Sequence, residues 1–405
     1  MGFGDSWTGS GRAAADVPAY PGQVGTRCYT NNFANSKKQA NANSLHIARE
    51  MMVTMPQISY ANWYVSTSDY MEHGSGGTVR FWAKIQYPIG SPWQVVRWNG
   101  LDGSPVVADG ASSPLSDAGV PLATPIPDGA PFLLHVYADA EVASVISYSS
   151  AVDRRTVYDR AAIATSGLAD STTIDTYVSD LTIITPCAIV YPTRKPTCLV
   201  IGDSRGFGYG DLIDGAADMG EMARSIGPRF GYINACLYSD RVQRFVASHS
   251  RRAALAAYCS HIIGNYGIND VQAGTRTADQ VEADIQAVVA MFPDKKVFWN
   301  TVTPSGDSTD GFATLANQTP KAVSQAARIA LNDDLRRNLR PSNGTPLGLA
   351  GVFDTASVVE SSLNSGKFAI GNGGQAITGD GLHLNYVGYA MIANSRAIDL
   401  ARIAR

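Results

Sequence analysis

After Pro192 and Pro196 the chain alternates short apolar runs with helix-patterned stretches, and this alternation constrains the fold more than any other feature. Parallel strands cannot be joined by a tight hairpin; they need a crossover, usually a helix that returns right-handedly onto the sheet. The apolar runs at 197–201, 231–234, 260–264, 296–301 and 351–353 therefore predict a parallel sheet with helices between its strands. One crossover helix is especially legible. Thr277 and Gln280 are spaced for a capping box, Val281, Ile285 and Val288 share one face, and Pro293 prevents continuation.

Upstream of the prolines the pattern has a period of two. In 78–87, Val79, Phe81, Ala83, Ile85 and Tyr87 alternate with Thr78, Arg80, Trp82, Lys84 and Gln86, which predicts a half-buried strand. Runs at 93–98, 132–137, 142–148 and 181–184, separated by Gly/Pro/Ser/Asp turns, have the spacing of an antiparallel sandwich. The expected organisation is an all-β, sandwich-like domain over 1–192 with an irregular N-terminal segment, followed by an α/β domain over 193–405. With 405 residues, 45% hydrophobic and only 17% charged, the chain has ample material for such cores.

Charge and cysteine content exclude several classes. A formal charge of −3, from 32 Lys+Arg against 35 Asp+Glu, argues against a nucleic-acid partner, whose phosphates demand a basic surface. The five cysteines include no CxxC pair, so they read as small buried apolar residues rather than as a disulfide framework or zinc site. Apolar stretches break well short of the ~18 residues of a membrane span, and the first 20 residues carry Asp5, Arg12 and Asp16 without a signal-like core. The cellular address is left open, with an extracellular one compatible with a removed signal.

The chemistry is concentrated at three loops. The first α/β strand runs into Gly202-Asp203-Ser204-Arg205-Gly206, a glycine-flanked turn that places a serine hydroxyl at the carboxyl end of a strand, where open α/β sheets bind ligands. A nucleophilic serine needs a base, and the base needs an anion to fix its tautomer. Gly379-Asp380-Gly381-Leu382-His383 supplies both within one loop. Gly264-Asn265-Tyr266-Gly267-Ile268-Asn269-Asp270, again directly after a strand, offers the Asn269 amide as a donor to a tetrahedral oxyanion.

These blocks, with the closing run His383 to Tyr389, resemble the SGNH (GDSL-type) hydrolase family over residues 197–403. The resemblance implies a flavodoxin-like three-layer α/β/α fold and ester hydrolysis with Ser204 as nucleophile, His383 as general base and Asp380 as its orienting carboxylate. The implied oxyanion hole comprises the Ser204 N–H, the Asn269 side chain and a backbone N–H from a second block. The matching stretch is Asn234-Ala235-Cys236-Leu237-Tyr238-Ser239-Asp240, with Ser239 where the family has glycine. Arg205 and Tyr266, beside the motif residues, are expected at the substrate. An N-terminal β domain joined to such a hydrolase is similar to two-domain carbohydrate acetyl esterases, so the implied substrate is an acylated carbohydrate or other small ester.

Several features lead elsewhere. Gly4-Asp5-Ser6 repeats the serine motif without a preceding strand and reads as a terminal loop. The run Gly206 to Gly210 lacks the third glycine of a dinucleotide fingerprint, and His46, His73, His135, His249 and His261 have no ligand spacing, so neither a nucleotide nor a metal nor any other cofactor is expected. Asp203 and Asp270 read as loop supports. Trp7, Trp63, Trp82, Trp93 and Trp98 fall in the first 100 residues, where they either pack or, as Trp82 on the polar face of its strand could, stack on a sugar. Two alternatives to an acetyl esterase remain open: a hydrolase of longer acyl chains, and a binding or structural module of a viral or cell-surface assembly.

Overall fold

The computed structural model describes residues 19–34, 37–140, 147–150, 156–174, 182–212, 218–272, 274–340 and 344–404. Trp7, the Gly4-Asp5-Ser6 motif, positions 142–146 of one expected strand and Leu181 of another lie outside the described residues.

A six-stranded parallel sheet runs in the order Cys28–Tyr29, Tyr232–Asn234, Cys198–Ile201, His261–Gly264, Lys296–Asn300, Gly351–Phe353. Counting the strands after Pro196 as one to five, the order is 2-1-3-4-5, the doubly wound arrangement of flavodoxin-like folds. Chain direction across the sheet reverses between Cys198–Ile201 and His261–Gly264, so the crevice beyond their carboxyl ends is where such a sheet takes a ligand.

Both faces of these strands are buried, which is why they read as continuous apolar runs rather than as an alternation. Leu199, Ile201, Ile262, Val297 and Trp299 share a core with Val281, Ile285, Val288, Leu331 and Leu335 of helices Ala278–Met291 and Ala322–Arg337. Cys198, Val200, Ile263, Phe298 and Phe353 instead share a core with Ile226, Tyr389, Ile392 and Ile403. The result is three layers. The capping box forms as the sequence predicts: Gln280 N–H donates to Thr277 Oγ1 at 3.3 Å and Thr277 N–H to Gln280 Oε1 at 3.1 Å. Ile285, with no exposure, anchors this helix, and its truncation to Ala would cost about 2–5 kcal/mol.

The described elements between residues 20 and 193 are all strands. The largest antiparallel sheet there has the order Leu101–Asp102, Gln94–Trp98, Val79–Gln86, Pro131–Ala140, Gln39–Ile47, Arg160–Ala164. Val79, Phe81, Ala83 and Ile85 face its core, as their alternation requires. Trp63 and Trp98 are core residues; Trp82 lies against Tyr137, with ring centroids 5.4 Å apart, and Trp93 meets His135 edge-on. All five cysteines are buried, and none is joined in a disulfide.

The expected boundary after residue 192 falls inside strand Ala188–Thr193, one residue before its end, and the two parts on either side of it are interleaved. Cys28–Tyr29, from the β-rich part, forms the edge of the parallel sheet, and one hydrophobic core runs from Trp63 and Ile189 through to Leu199 and Ile262. No described helix is long and apolar enough to cross a membrane.

Candidate active site

Ser204 is the first residue of a short helix, Ser204–Phe207, that starts immediately beyond the central strand. The Asp203 carboxylate caps this helix by accepting the Arg205 N–H at 3.0 Å, and Gly208, at φ +91°, ends it. Gly202 is required by a close approach: a Cβ there would lie 1.7 Å from Asn265 Oδ1, the atom that accepts the Asp203 N–H. The turn is thus clamped to the neighbouring strand's loop.

His383 approaches from the loop before helix Tyr386–Ser395, which Asn385 caps by accepting the N–H groups of Val387 and Gly388. Its Nε2 is 2.8 Å from Ser204 Oγ, and its Nδ1 is 2.6 Å from Asp380 Oδ2. The other carboxylate oxygen, Asp380 Oδ1, accepts the N–H groups of Leu382 at 2.9 Å and His383 at 2.8 Å. Partial burial pushes the Asp380 pKa up, but the hydrogen bonds from the His383 ring and from these two amides outweigh it and hold the carboxyl below its ordinary range. An ionised Asp380 fixes the proton on Nδ1 and leaves Nε2 as the acceptor for the serine proton. Thr378 braces the loop, donating from Oγ1 to the His383 carbonyl and accepting the Gly381 N–H at 3.0 Å.

The third element is the pair of loops that carry Asn269 and Ser239. Asn269 Nδ2 donates to the Asp240 carbonyl at 3.0 Å, which joins the two loops and leaves the second amide hydrogen for a ligand. Ser239 is exposed and sits at φ +55°, in the left-handed region. A glycine adopts this conformation freely, whereas a serine strains to hold it. The Ser204 N–H, first in its helix, makes no hydrogen bond among the described residues.

Two residues expected at the substrate are not there. Arg205 is 1% exposed: its guanidinium turns inward to Asp203, the Thr303 hydroxyl and the Asn265 carbonyl, with Glu221 at 4.0 Å. Tyr266 is fully buried and donates its hydroxyl to Asp240 Oδ2 at 3.0 Å. A charge or hydroxyl in a water-excluding interior must find its partners there, so both side chains hold the loops rather than face a ligand. Asp203 and Asp270 are likewise buried supports; Asp270 accepts the Val242 N–H and pairs with Arg276 at 3.0 Å.

The sequence reading missed Tyr209, whose ring centroid lies 4.4 Å from that of His383 and which is 44% exposed. Its signal was present, an aromatic inside the glycine-rich run after the serine. It also missed Glu221, a buried carboxylate that accepts from Asn265, Asn300 and Thr355 and so ties together the carboxyl ends of three strands. Nothing in the local sequence marks that role.

A scan of protein families finds no match for this chain, and neither does a search of curated proteins. Among solved structures, its neighbours include GDSL-type lipolytic hydrolases and a carbohydrate acetylesterase, each covering about half of the chain. A member of the lipolytic G-D-S-L family from Veillonella parvula is similar at 15% identity and a TM-score of 0.34, over 51% of this chain and 98% of that one. A carbohydrate acetylesterase from Sinorhizobium meliloti is similar at 16% identity and a TM-score of 0.32, over 51% and 99%. A lipase/acylhydrolase from Enterococcus faecalis is similar at 16% identity and a TM-score of 0.32, over 50% and 95%.

Proposed function

We propose that this chain is a serine ester hydrolase of the SGNH type that removes short acyl groups, acetyl foremost, from a carbohydrate. The observation that carries the reading is the continuous relay from Ser204 Oγ through the His383 ring to Asp380, with contacts of 2.8 and 2.6 Å. In this reading Ser204 Oγ attacks the ester carbonyl as His383 Nε2 takes its proton. The Ser204 N–H, the Asn269 amide and the Ser239 N–H receive the oxyanion. The tetrahedral intermediate collapses with cleavage of the C–O bond, and His383 returns the proton to the departing alcohol. Water, deprotonated by the same histidine, then attacks the acyl-enzyme and releases the carboxylic acid and free Ser204.

The preference for a short acyl group on a polar carrier rests on the surroundings. The loop over 305–317, which donates the Gly306 N–H to the Gly381 carbonyl, is rich in Ser, Asp, Thr and Asn. Tyr209 presents an exposed aromatic face beside His383, a surface suited to a sugar ring. Residues 193–405 are the catalytic domain in this reading, and 1–192 a β-sandwich-like accessory domain that lends Cys28–Tyr29 to the catalytic sheet.

The test is turnover of p-nitrophenyl esters with chains of two to twelve carbons, alongside acetylated oligosaccharides. Ser204→Ala should abolish activity while leaving the fold intact; retention of more than a few per cent of kcat would refute the nucleophile. Octanoyl esters cleaved as efficiently as acetyl, with acetylated sugars untouched, would replace the carbohydrate reading by one of longer acyl esters.

A further inference from the structure

Two side chains of the β-rich half hold arginines that bond to the loop of the second oxyanion block. Both sit at one end of the hairpin formed by Trp63–Val65 and Glu72–Gly74. Tyr70 lies in the turn, and the Arg244 guanidinium carbon stands 3.6 Å from its ring centroid. The same guanidinium donates from Nη1 to the Ser239 carbonyl at 2.9 Å.

Glu72, whose side chain is 1% exposed, forms the second arm. Its Oε2 accepts the Arg251 N–H at 2.8 Å, and its Oε1 accepts the Arg252 N–H at 2.9 Å and Nε at 3.3 Å. Arg252 is fully buried and donates from Nη1 to Asp240 Oδ2 at 2.9 Å. The Asp240 carbonyl, in turn, holds the Asn269 amide. One arm therefore ends on the Ser239 carbonyl and the other on the Asp240 carboxylate, and the residue held by the second arm continues the chain of contacts to Asn269.

Backbone conformation points the same way. Tyr70 at φ +64° and Ser239 at φ +55° are both left-handed non-glycine residues, and Arg244 bridges them. Such conformations persist only where the surroundings over-determine them, and they concentrate at functional sites.

We propose that Tyr70 and Glu72 are positioning residues for the oxyanion hole, through which the β-rich half sets the geometry of the Ser239 N–H and the Asn269 amide. This rests on the ester hydrolase reading above. The β-rich half is then a working part of the active site and not only an accessory to it. Since a displacement of about 1 Å in a catalytic group can cost on the order of 10² in rate, partial loosening of one arm should cost about tenfold.

The experiment measures kcat and KM on p-nitrophenyl acetate for the full chain, with active sites titrated by a fluorophosphonate. Tyr70→Leu, which keeps apolar bulk but no π face, and Glu72→Gln should each lower kcat per titrated site about tenfold at unchanged KM. Tyr70→Phe, which keeps the ring, should restore kcat. In an Asn269→Ala background the Glu72→Gln loss should shrink, because its main target is gone. A merely structural role would lower the titratable fraction or the melting temperature and leave kcat per site alone. Tyr70→Leu and Glu72→Gln both within twofold of wild type, in a protein whose turnover needs Ser204, would overturn this inference alone. Should Glu72→Gln fail to fold, Tyr70→Leu decides. Absence of Ser204-dependent turnover in the wild type would instead overturn the hydrolase reading and this one with it.

Discussion

Replacing Asp380 by Asn removes one charge while keeping size and shape, so it isolates what the carboxylate does for His383. The carboxylate meets the ring at 2.6 Å, which puts the charge of a protonated imidazole about 4 Å from that of the carboxylate. At an effective dielectric between about 20 and 80 this attraction is worth about 1–4 kcal/mol. The Asp380 side chain is 50% exposed, so solvent screening favours the lower half, about 1–2 kcal/mol, or roughly 5–30-fold in rate. The second effect is tautomeric. The introduced amide can turn its NH2 toward Nδ1, which places the imidazole proton on Nε2 and leaves Ser204 without an acceptor; this adds on the order of 10². Together kcat should fall about 10³-fold with KM little changed, because the interaction strengthens only as His383 becomes protonated. Steady-state kinetics on p-nitrophenyl acetate, normalised to titrated sites, measures it directly. A loss below tenfold, or a loss confined to KM, would refute the assignment of Asp380 as the orienting anion.

Three further outcomes follow from the same structure. Asn269→Ala should lower kcat by about 10²–10³ with a small change in KM, read from the same assay; a pure KM effect would make Asn269 a binding residue. Ser239→Gly relieves a left-handed serine, worth about 1–2 kcal/mol, against an entropic cost of about 0.5–1 kcal/mol for glycine, so denaturant unfolding should show a modest net gain in stability. His46 is fully buried between the Thr26 carbonyl and the Ser44 hydroxyl, and burial pushes its pKa down to about 4. A depressed histidine contributes stability that is complete above the unfolded value of about 6.5 and is lost as pH falls through about 4, here about 3 kcal/mol. Urea midpoints at pH 7.5 and 4 should therefore converge more in His46→Gln than in the wild type; equal pH dependence in the two would refute the burial argument.

The parts of the site that could be read from sequence are those where chemistry fixes the residue type and the local chain fixes its place. Asp380 and His383 are three residues apart in one loop, and Ser204 lies three residues beyond Ile201, the last residue of its strand, so their identities and spacing carry the reading. Strand Gln39–Ile47 was not legible in the same way. Its sequence, QANANSLHI, has no strong apolar alternation, yet it pairs with both Pro131–Ala140 and Arg160–Ala164. Asn41 and Asn43 are tolerated there because their amides donate to the carbonyls of Ala169 and Thr172, which lie more than a hundred residues away.

Arg205 fails as a sequence inference for the same reason. An arginine beside a catalytic serine usually suggests a hand held out to substrate, because a guanidinium is costly to bury. Here that cost is met by partners from separate segments: Asp203 on its own turn, Asn265 on the third strand's loop, Thr303 beyond the fourth, and Glu221 nearby. The Tyr70 and Glu72 arms obey the same logic at longer range, since Glu72 meets Arg252 across 180 residues of chain. Pattern within a window of sequence identifies a group that acts on a ligand, because that group must be presented by a local turn. A group that acts by holding another is defined by the fold's closure, and its sequence neighbourhood carries no mark of it.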